Sequence, residues 1–253
     1  MTTLLLRLAA PMQSWGTDSK FDRRITGRSP SKSGVIGLCA AALGLRRDEE
    51  KEIEKLACLK FGVRIDKPGK LLKDFHMAHE EIFWSPEDRS KINRDKNSSA
   101  YLTTRYYLAD AAFLVGLEGE EGFLSEVDAA IRAPMFPLYL GRRSCPPEGR
   151  VSLGIVSDNL QEALEKQPLV VELRHPPRTE EKLRIVMDAA EGCEKDSYLL
   201  RDLPQSFNPE HKKYGFRRVR EFSAPSLPSS GKCSAMGGAH DAMAELEEVP
   251  PCT

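Results

Sequence analysis

The 253-residue chain lacks several features that would place it in a familiar class at once. It has no run of eighteen or more apolar residues, so we expect no transmembrane helix and no membrane partner. The apolar start at 2–11 has no basic leader and is interrupted by Arg7, which favours a first strand over a signal peptide. The six cysteines are scattered without a Cys-x-x-Cys pair, which gives little support to a zinc site or a disulfide framework. We therefore expect a cytoplasmic protein with no metal and no cofactor.

Tryptophan is scarce, with two residues, and net charge is nearly absent at −1. The positive charge is instead concentrated, because residues 1–47 hold eight Lys or Arg against two acids. Concentrated positive charge beside small and hydroxyl residues is typical of a site for a phosphate-rich ligand. The small net charge argues against indiscriminate DNA coating and indicates one basic groove, with other surfaces left for protein partners.

Hydrophobic patterns predict an α+β fold. Strands are expected at 3–10, 61–65, 109–117, 151–156, 169–173, 183–187 and 214–222, and helices at 34–45, 48–59, 125–133 and 159–166. Ser33 is expected to cap the first helix and Gly44 to end it. This order of elements suggests a ferredoxin-like (RRM-like) domain, an architecture that RNA-recognition modules use.

The segment 71–107 differs from this body. Two strand-like stretches flank a polar, charged tip, which predicts a projecting β-hairpin whose tip orders on a partner. The last thirty residues are rich in Pro, Ser and Gly and then acidic, which is typical of a flexible tail. We therefore divide the chain into a body (1–70 and 108–223), an inserted β-hairpin (71–107) and a flexible tail (224–253).

Two motifs near the N-terminus are suited to RNA. In Gln13-Ser14-Trp15-Gly16 the indole would stack on a base and Gln13 would read its edge, or Trp15 would only seal the core. In the segment 28–34, two cations and two hydroxyls, with the backbone N–H groups of a helix start, would form a phosphate-binding site, or the segment would serve for ordinary helix capping. The P-loop pattern Gly-x-x-x-x-Gly-Lys-Ser/Thr is absent.

Three further motifs each allow both a functional and a structural interpretation. In Gly141-Arg142-Arg143-Ser144, one Arg would pin the fold through a carboxylate while the other meets phosphate, or both would be structural. The group Asp74, His76, His79 and Glu80 could bind a metal or supply a general acid or base to a ribonuclease, but the pattern favours polar side chains at a hairpin base. The basic, aromatic segment 211–220 would face nucleic acid, or would be an edge strand whose charged side chains prevent pairing with another strand.

Several of these motifs occur together in one known family. RLAAPMQSWG, TGRSPSKSGVIGLCAAALG, DFH, YYLADAAF and PLYLGRRSCP, in this order, resemble the CasD family of subunits of the type I-E CRISPR Cascade complex. The resemblance covers residues 3 to about 220. The tail beyond Phe222 departs from the family pattern.

The resemblance implies a palm with a β-hairpin thumb that caps the 5′ handle of the CRISPR RNA. It implies contacts with a CasC-type backbone subunit and a CasA-type large subunit, and with target DNA only indirectly through the assembled complex. It also implies that the chain is not an enzyme. The alternative is a metal-independent endoribonuclease that processes CRISPR precursor RNA, as in a sister subtype, although no Tyr, Lys and His triad can be placed here.

Fourteen residues are the RNA-binding candidates of this interpretation. Those expected in the cleft are Gln13, Ser14, Trp15, Arg24, Arg28, Ser31, Lys32, Ser33, Arg142, Arg143 and Ser144, and those expected at the hairpin base are His76, Tyr101 and Arg105.

Overall fold

A computed structural model describes residues 2–16, 22–78, 101–171, 183–190, 196–208 and 210–224. The strands are β1 (Thr2–Gln13), β2 (Arg23–Arg24), β3 (Lys60–Lys67), β4 (Lys70–Ala78), β5 (Tyr101–Gly119), β6 (Ser152–Val156), β7 (Arg184–Asp188), β8 (Ser197–Ser206) and β9 (Lys213–Ser223). The helices are α1 (Lys32–Leu43), α2 (Glu50–Ala57), α3 (Glu121–Arg132) and α4 (Leu160–Lys166). The predicted α+β class is confirmed.

One sheet joins all the strands of the described residues, in the order β6-β1-β5-β3-β7-β9-β8, with β2 and β4 also paired to β5. The pairs are antiparallel except for β2 with β5. The connection β1-α1-α2-β3-β5-α3-β6 follows the βαββαβ order on which the ferredoxin-like prediction was based. Strands β7, β9 and β8 extend the sheet beyond that unit.

Both faces of the central strands are buried, which explains their continuous apolar sequences. Leu4, Leu6 and Leu8 of β1 pack in the larger core with α1, α2 and α3, whereas Leu5 packs in a second core with Leu160 of α4. None of the helices in the described part of the chain is long and apolar enough to cross a membrane.

The hairpin and the body share one strand. The second strand of the predicted hairpin and the strand 109–117 were expected to be separate, but β5 runs unbroken from Tyr101 to Gly119, pairing with β4 in its first half and with β1 and β3 in its second. Asp110, which has a positive φ of 56°, marks the junction beside Pro11. The predicted hairpin tip, 79–100, lies outside the described residues, as does the tail from 225 onward.

Two expectations about the C-terminal half need correction. Residues 169–171 are not a strand, and 172–173 lie outside the described residues. Instead, the fully buried Arg64–Asp66 pair holds this segment, since Asp66 accepts a hydrogen bond from the Val170 amide and Arg64 donates to the carbonyl of the preceding Pro168. Strand β8 was not predicted, because Pro204 and two irregularities in its pairing with β9 interrupt the strand alternation.

Candidate functional site: a basic cleft

The start of α1 is shaped by a cap and a tightly packed glycine. Ser31, rather than Ser33, is the N-cap, and its hydroxyl accepts a hydrogen bond from the amide of Gly34 at 3.3 Å. A Cβ on Gly34 would lie 2.8 Å from Cε3 of Trp15, so glycine lets the indole lie against the helix. At the other end Gly44 adopts φ 77° and ends the helix, as expected.

Gln13 and Trp15 are structural, and their expected base contacts need correction. Trp15 is 1% exposed and its Nε1 donates to Oε1 of Gln13 at 3.0 Å. The Gln13 amide in turn donates to the carbonyls of Leu8 and Ala111. Both side chains are therefore occupied in the core, and neither offers an edge or a ring to a ligand in this structure.

The loop 139–146 packs directly on this N-terminal segment. Gly141 has φ 84°, and a Cβ there would lie 1.7 Å from the carbonyl oxygen of Ser14. The Ser14 amide donates to the carbonyl of Leu140 at 3.1 Å, and the Leu140 amide to that of Cys145 at 2.7 Å. No side chain can replace the hydrogen at position 141 without separating the two segments.

The adjacent arginines of this loop have different surroundings. Arg142 is half-buried, lies over the ring of Tyr107 at 4.7 Å and donates to the carbonyl of Arg24 at 2.9 Å. In place of the expected carboxylate, Arg142 therefore contacts an aromatic ring and a backbone carbonyl. Arg143 is exposed, as is Ser144.

A cleft of about 900 Å³ opens between these segments, and we call it the basic cleft. One wall is the Trp15–Gly16 turn with α1 and the residues that follow it, another is the loop 136–146, and a third is the connection between β8 and β9. Its lining includes four cations and five hydroxyl groups: Arg46, Arg47, Arg143 and Lys212, with Ser14, Ser31, Ser33, Tyr139 and Tyr214. Among the described residues that line it, none is acidic and none is histidine.

The electrostatics of the cleft suit an anionic ligand. Arg46, Arg47, Arg143 and Lys212 are all exposed. Burial raises the pKa of Tyr214, and the nearby positive charge of Arg47 offsets this only in part. Tyr214 therefore stays protonated at neutral pH and can donate a hydrogen bond. Cations without competing carboxylates, beside hydroxyl donors, form a site for a polyanion.

Lys32 does not contribute to a phosphate-binding site, which corrects that expectation. Its Nζ lies 3.0 Å from Asp188 and its backbone amide donates to Asp202 at 2.8 Å. Arg217 binds the same two carboxylates, each at 2.6 Å. These side chains form one buried ion network that holds the start of α1 against β7, β8 and β9. Arg217 is thus structural, although it lies in the segment 211–220 that was expected to face nucleic acid.

The remaining candidates lie outside the cleft lining. Arg24 and Arg28 are exposed, and Arg24 is paired with Arg105 where β2 meets β5. His76 is exposed and lies opposite Thr103, and Tyr101 lies opposite Ala78. The described residues contain no group of three or more His, Cys, Asp or Glu arranged for a metal, and His79 and Glu80 lie outside them.

The residues that line the cleft in the structure therefore overlap only in part with the residues predicted to bind RNA. Ser14, Trp15, Ser31, Ser33 and Arg143 line the cleft as candidates, although Trp15 does so as a buried wall. The sequence patterns did not indicate Phe136 and Phe207, which also line it. Arg46 and Arg47 were counted in the basic region but not assigned to a site.

An α+β fold with a basic cleft, whose described lining holds no carboxylate, defines a class of proteins suited to a polyanionic ligand. Comparison with known proteins then identifies the family. A family model described as CRISPR-associated protein (Cas_Cas5) matches residues 3–220, so the chain belongs to the CRISPR-associated Cas5 family. The resemblance predicted from the motifs is confirmed.

Individual relatives agree with this assignment. The Cascade subunit CasD of Escherichia coli K12 is 34% identical over 180 residues, which are 66% of this chain and 77% of that protein. A Cas protein of known crystal structure is 40% identical with a TM-score of 0.68, over 90% of this chain and 98% of its own. A chain of a CRISPR RNA-guided surveillance complex is 33% identical with a TM-score of 0.72, over 90% of this chain and 91% of its own.

Proposed function

We propose that this chain is a non-catalytic subunit of a type I-E Cascade complex and binds the 5′ handle of the CRISPR RNA in the basic cleft. The observation that carries the proposal is a cleft whose described lining residues include four cations and no carboxylate, in a member of the Cas5 family. The relatives named as a Cascade subunit and as part of an RNA-guided surveillance complex support the same assignment.

The chemistry of the cleft suits a single strand of RNA. Arg46, Arg47, Arg143 and Lys212 can neutralise phosphates, and the hydroxyl groups can bond to phosphate or ribose oxygens. In RNA-guided effectors base pairing reads the target, while protein holds the backbone. The RNA segment that a fixed cleft recognises is therefore the constant handle rather than the variable spacer.

The β4–β5 ribbon is proposed to be the thumb that projects from the palm. Leu71, Phe75 and Met77 lie on one face of β4, with Lys73 between the first two, Leu102 lies opposite Met77, and all four apolar residues are exposed. An exposed apolar row on a two-stranded ribbon is suited to packing against another protein. We assign it to contacts with the neighbouring CasC-type backbone subunit, and assign a further surface of the palm to the CasA-type large subunit.

A binding role is favoured over RNA cleavage by the make-up of the cleft. General acid–base cleavage commonly relies on His or a carboxylate close to the scissile phosphate. The described lining holds neither, and His76, which the nuclease alternative would use, lies on β4 outside it. We place the assembled complex in the cytoplasm, where the guide RNA is made.

The proposal is tested by co-expressing the chain with the other Cascade subunits and a CRISPR array, then sequencing the RNA that co-purifies. We expect Arg46→Ala and Arg143→Ala each to reduce retained guide RNA or assembly. Arg150→Ala is the matched control, because Arg150 is exposed and does not line the cleft. Equal retention by all three variants would show that the cleft is not the handle site.

The nuclease alternative is tested separately by incubating the purified chain with labelled repeat RNA, with and without a chelator. We expect no specific cleavage. Specific cleavage that His76→Ala abolishes would establish the endoribonuclease instead.

A further inference from the structure

The basic cleft carries an exposed aromatic ring that the sequence patterns did not single out. Phe136 lines the cleft and is 49% exposed, whereas Trp15, the aromatic expected to meet RNA, is 1% exposed. A half-exposed aromatic ring on the wall of a cationic cleft keeps apolar surface in contact with water. Packing against a planar group that enters the cleft would bury that surface.

The backbone that carries Phe136 is held rigidly. The amides of Met135 and Phe136 donate to the carbonyls of Ala42 and Ala41 near the end of α1, at 3.0 and 3.2 Å. Pro134 and Pro137 restrict the backbone on both sides. The ring is therefore presented by a preformed loop, and a ligand that packs on it has little ordering cost to overcome.

The cleft also has room for a flat group. Gly37 lines it, and a Cβ added there would meet only Cζ of Phe207, at 3.8 Å. Ala40 and Ala41 continue this small-residue lining along α1. Cations border this lining on all three walls: Arg46 and Arg47 follow α1, Arg143 is in the loop that carries Phe136, and Lys212 precedes β9. Phosphates can therefore be held while a base points inward.

We propose that Phe136 stacks on an unpaired base, so that the basic cleft selects single-stranded RNA with one nucleobase turned inward over duplex RNA. This inference rests on the proposed function, since it concerns the same cleft. Base–aromatic stacking tolerates any base, because every base has a π-face. A duplex keeps its bases stacked on each other and offers the ring no partner.

The test uses the full chain and an adenine-rich single-stranded RNA with 2-aminopurine placed at each position in turn. We expect one position to be quenched on binding, and Phe136→Ala to abolish that quenching and weaken binding about tenfold. Phe136→Tyr keeps an aromatic ring and should retain both, whereas Phe136→Leu fills space without a π-face and should lose both, which a merely space-filling role would not predict. The slope of affinity against salt should stay unchanged in Phe136→Ala, because the variant keeps every cation that neutralises a phosphate.

Met135→Ala is the matched control. Met135 is the neighbouring residue, is 71% exposed and does not line the cleft, since its side chain lies over Gly44. Stacking is refuted if Phe136→Ala binds and quenches like the unmodified chain while Arg143→Ala weakens binding, and the proposed function then stands. If Arg143→Ala is also without effect, both proposals fail.

Discussion

At the scale of single residues, the cleft depends on positions where a side chain would not fit. Gly141 is the most demanding of these, because it combines a positive φ with a Cβ position 1.7 Å from the Ser14 carbonyl oxygen. The loop that carries Arg143 can therefore reach the N-terminal segment only through glycine.

We predict that Gly141→Ala lowers the free energy of unfolding by several kcal/mol and weakens RNA binding, because the loop must move away from Ser14. Thermal unfolding and an RNA-binding titration measure the two effects. Gly122→Ala is the control, since an added Cβ there would meet only Glu120 Oε1 at 3.8 Å, on the exposed surface of α3. Equal stability of the two variants would contradict this account of the loop.

Among the described residues, two cysteine thiols have low reactivity because they are buried. Burial raises the pKa of Cys39 to about 12 and also raises that of Cys145, whereas Cys58 is exposed. A thiol must ionise to react, so burial suppresses both access and nucleophilicity.

We predict that iodoacetamide at pH 8 modifies Cys58 of the folded protein and spares Cys39 and Cys145 until the chain unfolds. Peptide mapping by mass spectrometry measures the modification. Because Cys39 holds its proton to higher pH when folded, its contribution to stability falls as pH rises from its ordinary pKa near 9 towards 12. Rapid native labelling of Cys39 would show that α1 opens.

At the scale of elements, buried ions attach α1 to the far part of the sheet. Asp202 of β8 accepts from both the Lys32 amide and the Arg217 guanidinium, while Asp188 of β7 joins Lys32 to Arg217. The guanidinium also lies 5.1 Å from the centre of the Phe61 ring. Removing one partner leaves a buried charge without compensation.

We predict that Asp202→Ala costs about 3–5 kcal/mol of unfolding free energy, measured by denaturant titration, because Arg217 then loses its two-point partner. As a control, Lys166→Met removes exposed ion pairs with Asp158 and Glu162 and should change stability little. Similar losses in the two variants would mean that the network does not anchor the helix.

The buried ion network illustrates why the sequence predicted the helices and strands better than it predicted the residues of the binding site. The spacing of apolar residues indicated α2 and β9, because it depends on which face of each element is buried. Lys32 and Trp15 were assigned to RNA since their types and neighbours suit it. Their partners, Asp188 and Asp202 for Lys32 and Gln13 for the indole, are chosen by tertiary packing, and most of them are distant in the chain.

At the scale of the whole molecule, the cleft lies where three separate parts of the chain meet. Arg46 and Arg47 follow α1, Arg143 is in the loop before β6, and Lys212 precedes β9. No single segment contains the site, which is why a basic N-terminal region alone suggested only a general polyanion site.

Because the cations come from three separate segments, we expect each of them to contribute to the electrostatic part of the RNA affinity. The slope of log affinity against log salt for single-stranded RNA should fall by about 0.7 for each phosphate that is no longer neutralised, in Arg47→Ala and Lys212→Ala alike. Fluorescence anisotropy over a range of salt concentrations measures it. Arg150→Ala should keep the slope of the unmodified chain, and a fall in that variant equal to the others would indicate diffuse surface binding.

The most direct measurement of the central claim is a photocrosslinking map of the assembled complex. A benzophenone side chain is placed at Tyr139 in the cleft or, as a control, at exposed Tyr198 on β8, and the crosslinked RNA is sequenced. Handle binding in the cleft predicts crosslinks from position 139 to the repeat-derived 5′ end and few from position 198. Crosslinks from position 139 mainly to spacer nucleotides, or handle crosslinks from position 198 alone, would contradict it.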